Sequence, residues 1–61
     1  MKPSGFLVEM TDRDGLIQKF LFHYSRDVLE DRLVAFRWAS ALVISRIRED
    51  WRLVKVTEGQ D

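Results

Sequence analysis

The chain reads as a small α+β domain of order β-β-α-β: a three-stranded antiparallel sheet, strand order 2-1-3, with one long helix packed on one face. Three observations predict it. Two apolar runs flank an Asp12-Arg13-Asp14-Gly15 turn, a long stretch without Gly or Pro opens after Ser25 with helical periodicity, and a β-branched and aromatic run follows it.

The first strand is expected over Phe6 to Thr11 and the second over Leu16 to Tyr24. The loop between them sets the register. A three-residue loop Arg13-Asp14-Gly15, with Gly15 left-handed, places Asp12 opposite Leu16, Val8 opposite Phe20 and Phe6 opposite Phe22. Glu9 then faces Lys19 as a cross-strand ion pair, whereas a two-residue Asp14-Gly15 turn would put Glu9 against Phe20. The three-residue loop is therefore expected, with Phe6, Val8, Met10, Phe20, Phe22 and Tyr24 on the core face.

Ser25 is the expected helix N-cap, with Tyr24 and Leu29 at the spacing of a hydrophobic staple and Asp27 and Glu30 in the first turn. Leu29, Leu33, Phe36, Val43, Ile44 and Ile47 then form one face and are assigned to the core, with Ala39 and Ser40 beside them. The helix should end between Arg46 and Glu49, giving a rod of roughly 35 Å. A third strand follows from Trp51 to Thr57, and either Val54 and Val56 or Trp51 and Leu53 point inward, with Lys55 in the second set favouring the first. A right-handed crossover sets this strand beside the first. Residues 1–61 form one domain, with 1–5 and 58–61 as loose tails.

Composition narrows the function. A chain of 61 residues buries only about 60% of its unfolded surface, and without cysteine it has neither disulfides nor thiolate metal sites to reinforce it. Oligomerisation is the remaining common remedy. Ten Lys plus Arg balance ten Asp plus Glu, so no global field draws the chain to nucleic acid or to an anionic membrane. Pro3-Ser4-Gly5 lacks the apolar core of a signal peptide, and Leu33 to Ile44 is far shorter than the ~20 residues of a membrane span. A cytoplasmic protein is expected, without a membrane span.

Catalytic residue types are scarce. His23 is the only imidazole and has no recognisable collaborators, so it reads as a surface or interface residue. Ser4, Ser25, Ser40 and Ser45 lack an identifiable base and orienting acid. The Asp12-Arg13-Asp14-Gly15 segment departs from a calcium loop, with its glycine too early and His23 where the closing glutamate belongs, and Gly5, Gly15 and Gly59 are too dispersed to cradle a phosphate. The expectation is a non-enzymatic protein with no cofactor and no metal.

Surplus apolar surface remains. On the helix, Val34, Trp38, Ala41, Leu42 and Ser45 form a second stripe opposite the assigned core face, and Trp38 alone could bring ~150–250 Å² to an interface. The open face of the sheet offers a rival in Leu7, Ile17, Leu21 and His23. Either surface suits a homodimer or an unidentified protein partner, as expected of an adaptor, inhibitor or regulator. The alternative is nucleic-acid binding through arginines near the tryptophans, with Arg37, Arg48 and Arg52 as contacts. Against it, several arginines have acidic neighbours at helical spacing, which describes a solvated and partly paired face.

Overall fold

The structure, a computed structural model, describes residues 3–60. Its elements are β1 (Pro3–Thr11), β2 (Ile17–Ser25), α1 (Leu29–Arg48) and β3 (Arg52–Gln60). All pairings are antiparallel and the strand order is β2-β1-β3, with α1 on one face. The expected architecture is therefore present.

The hairpin register is the one the three-residue loop requires: Val8 lies opposite Phe20, Phe6 opposite Phe22 and Glu9 opposite Lys19. Gly15 sits at φ +84°, in the left-handed region that a side chain disfavours. The Asp12 carboxylate secures the turn by accepting from the Asp14 and Leu16 backbone N–H groups at 2.9 and 3.0 Å and from the Gln18 side-chain amide at 3.0 Å. These bonds, that from Gln18 first and that from Leu16 next, hold the Asp12 pKa below its ordinary value.

All three strands run beyond their apolar patterns. Ser4 pairs with Tyr24 on one side and Gln60 on the other, and Gly5 with His23 and Gly59. The expected tails at 1–5 and 58–61 are thus, over the described residues 3–5 and 58–60, parts of strands; Met1, Lys2 and Asp61 lie outside the described residues. Cross-strand pairing supplies what side-chain hydrophobicity does not.

Extension of β2 to Ser25 also moves the helix start. Ser25 ends the strand opposite Pro3, its carbonyl accepts from the Val28 N–H at 3.2 Å, and Val28 occupies the N-cap without a side-chain capping bond. Ser25 is not the N-cap, and Tyr24 is buried in the core while Leu29 is 70% exposed, so no staple forms. Glu30 and Asp31 complement the helix dipole in the first turn. The twenty-residue helix spans about 30 Å, shorter than expected because it begins later. Its end is as expected: the Asp50 and Trp51 N–H groups return to the Ile47 and Arg46 carbonyls, with Asp50 at φ +68° in the position glycine usually takes.

The helix turns a different face to the sheet from the one its periodicity predicts. Buried core residues are Phe6, Val8, Met10, Tyr24, Ala35 and Ala39, and Phe20, Phe22, Val43 and Trp51 pack against them half-buried. Leu29, Leu33, Phe36, Ile44 and Ile47 are exposed; of the expected core stripe, Val43 packs half-buried on the core and Phe36 meets Phe6 edge-on at 5.9 Å between ring centroids. The reason is steric. The aromatic rings of β1 and β2 already fill the space above the sheet, so the helix seats on its smallest side chains, Ala35 and Ala39, and directs the large aliphatic ones past the sheet.

A β-bulge settles the third strand. Lys55 pairs with Glu9 and Leu53 with Met10, leaving Val54 as the extra residue. Side-chain parity flips there, so Val56 and Leu53 both lie on the helix side, together with Trp51 against Phe20 at 6.2 Å between ring centroids. Neither expected alternative is complete, because each assumed an unbroken period of two.

Candidate functional site

Three apolar surfaces remain uncovered, and they differ in size. The largest is the helix face whose periodicity predicts a core, together with the helix side of β3. Leu33, Phe36 and Ile44 of α1 overhang β3, where Leu53 and Val56 lie half-exposed on the helix side, and Leu29 and Ile47 extend the surface at its two ends. Their exposures run from 45% at Leu53 to 70% at Leu29. These seven residues thus leave about half or more of their surface in water. Between helix and strand runs a groove of about 390 Å³, floored by Val8 and Ala39 and walled by Phe36, Ile44, Leu53 and Val56. Ser40 supplies its only hydroxyl, and no charged side chain lines it.

Charge gathers at the ends of this flank. At one end the Tyr24 hydroxyl donates to Glu58, and Arg32 grips the same carboxylate with two N–H bonds of 2.7 and 3.0 Å. Arg32, and then Tyr24, hold the Glu58 pKa down to about 2, while the bond to Glu58 and burial push the Tyr24 hydroxyl up. At the other end Arg46 pairs with Glu49 at 3.3 Å and lies over the Trp51 ring at 5.0 Å. Both arginines are engaged within the fold.

The expected helix stripe lies on the opposite flank. Val34 and Trp38 are exposed beside Ala41 and Ser45, and Leu42 is half-buried. Trp38, at 65% exposure, lines shallow depressions with Val34, one shared with Phe22 and His23 at the edge of β2 and one with Arg37 and Ala41. The structure thus brings the stripe together and joins His23 to it. The surface is narrower than the one over β3, because Ala41 and Ser45 add little area.

The open sheet face carries the other expected set. Ile17, Leu21 and His23 are exposed and Leu7 half-buried; Leu7, Leu21, His23 and Thr57 ring a depression of about 240 Å³ whose base is formed by Gly5 and Gly59. Glu9 lies between Lys19 at 3.9 Å and Lys55 at 3.7 Å on the same face, which breaks it into polar and apolar parts. Ser4 is buried beside the depression, its hydroxyl without a partner among the described residues. At this size the depression falls below the ~300–1,000 Å³ of ordinary ligand sites.

The arginines proposed for nucleic-acid contact are divided. Arg37 and Arg48 lie on the exposed helix, whereas Arg52 pairs with Thr11 and belongs to the open sheet face. Among the described residues no three His, Cys, Asp or Glu side chains gather as a metal site, and no helix is long and apolar enough to cross a membrane.

The flank over β3 carried one legible signal. Ala35, Ala39 and Val43 follow one another at helical spacing between the two apolar stripes, and small residues there allow the closest approach to a sheet. Compared with protein-family models, curated proteins and solved structures, the chain matches none.

Proposed function

We propose that this chain is a non-enzymatic protein-interaction module that acts by covering surface rather than by transforming a substrate. The observation that carries the reading is the uncovered flank between α1 and β3. Seven large apolar side chains there stand 45–70% exposed on one flank. The accessible surface points the same way, at 4703 Å² against about 4,100 Å² for a compact monomer of this mass. Large contiguous apolar patches on small proteins mark sites of association.

Sedimentation tests this reading directly. The purified chain, and the chain added to host extract, are expected in species heavier than the 7.2 kDa monomer. A chain that sediments as a free monomer in both settings would reject it. Binding to nucleic acid through Arg37, Arg48 and Arg52 is the alternative, and it has to engage two faces of the molecule at once.

A further inference from the structure

We propose that the α1–β3 flank is closed by a second copy of this chain, related by a two-fold axis that passes beside Ser40 and between Val54 and Lys55. The inference rests on the reading of the chain as an interaction module and names its occupant. Three independent features meet on that axis.

The first is the helix. Seen along the flank, Leu33 and Ile47 lie seven residues to either side of Ser40, and Phe36 and Ile44 lie four to either side. An antiparallel helix from a second copy therefore sets large side chains opposite large ones across the seam, with Ser40 level with the axis. This is the self-complementarity a two-fold interface demands. The second is charge. Glu30 and Arg48 occupy the solvent side of the same helix near its opposite ends, so antiparallel pairing brings each Glu30 close to the level of the other copy's Arg48.

The third is the edge strand. Because parity flips at the bulge, a β3–β3 pairing that runs through Leu53 and Val56 alike sets these helix-side residues opposite one another when centred between Val54 and Lys55. Leu53 then faces Val56 of the second copy, and Arg52 faces Thr57. Arg32 reaches Glu58 at one end and Arg46 covers Trp51 at the other, so α1 runs antiparallel to β3 and Ser40 stands level with Val54 and Lys55. The helix centre and the strand centre thus coincide. Lys55, a common guard of strand edges, is drawn to Glu9 on the open face and leaves the helix side clear. The assembly is a six-stranded antiparallel sheet of order 2-1-3-3-1-2 carrying two antiparallel helices on one face.

Light scattering on the wild type and on two variants tests the geometry, with far-ultraviolet circular dichroism as a check of folding. Ile44→Asp buries two carboxylates at the proposed interface and is expected to weaken the dimer about a hundredfold or more, while Trp38→Glu leaves it intact. Ile44 is exposed in the single copy, so the variant retains its fold. The double variant Leu53→Cys/Val56→Cys provides a second readout in a chain that has no cysteine of its own: the two positions are too far apart along one strand to bridge each other, so mild oxidation is expected to yield a covalent dimer, and Ala41→Cys none. A dimer broken by Trp38→Glu, or cross-linked through Ala41→Cys alone, overturns this geometry and leaves the interaction module standing. A wild-type chain that stays monomeric to about 100 μM overturns self-association, and the extract sedimentation then decides the broader reading separately.

Discussion

The two edges of the sheet show how differently one helix can treat its neighbours. Over β2 it covers Phe20, Phe22 and Tyr24, and the edge strand contributes to the core. Over β3 it stands clear, and from Arg52 to Gly59 every residue is exposed although Leu53, Val54 and Val56 are as apolar as anything in β2. Apolar content does not separate the edges, but ring content does, since Phe20, Phe22 and Tyr24 lie in β2 and β3 has no aromatic residue. What separates their burial is the seat of the helix on Ala35 and Ala39, which pulls it toward the aromatic strands and leaves an aliphatic wall facing outward. Burial in a chain this small is rationed by geometry, and the unfilled side is where association yields most.

Perturbations should therefore divide by position. Met10 lies fully buried under the helix and serves both flanks, so Met10→Ala is expected to cost about 2–5 kcal/mol in urea unfolding. A cost below 1 kcal/mol would mean the shared core is looser than described. The two sides of β1 are contrasted by a pair of cross-strand glycines, Gly5 in β1 against β2 and Gly59 in β3. A Cβ on Gly5 would stand 3.0 Å from the Phe22 carbonyl oxygen and 3.2 Å from Leu21 Cδ1, so Gly5→Ala should destabilise by about 1–3 kcal/mol. Gly59, with nothing within 4 Å, should accept alanine with no loss. Equal penalties at both positions would erase the difference between the crowded β1–β2 seam and the open β3 edge.

Acid probes the latch at the end of the β3 flank. The Glu58 pKa is depressed to about 2 from an ordinary 4.5, so the stability it contributes is present above about pH 4.5 and is lost as pH falls toward 2. Glu58→Gln should flatten the acid limb of a pH-dependent unfolding curve; an unchanged limb would assign acid sensitivity to other carboxylates. On the β2 flank, Trp38→Ala should change unfolding by no more than about 0.5 kcal/mol, because its ring is mostly in water. The smallest expected response is to nucleic acid: a mobility-shift titration at low salt should show no complex, and a steeply salt-dependent one would revive Arg37 and Arg48.

Much of this was legible in the chain. Gly15 and the Glu9–Lys19 pair were enough to set the hairpin register, since a glycine in the left-handed region and an ion pair across the strands agree on one loop length. Strand order followed from the handedness of the crossover. The helix stripe at Val34 and Trp38 was readable as surplus, and it is exposed. The larger surplus was hidden because Leu33, Phe36 and Ile44 have the periodicity of a core face, and periodicity says which residues share a face without saying which face is covered.

Local rules determined the element types, the turn and the pairing of β1 with β2, because these depend on backbone sterics and neighbours close in sequence. Tertiary structure alone decided three things: that small alanines rather than large aliphatics seat the helix, that β3 carries a bulge at Val54, and that Ser25 closes a strand instead of capping the helix. Each depends on how much room distant segments leave one another. That room is set by volumes and distances across the fold, which no local pattern encodes.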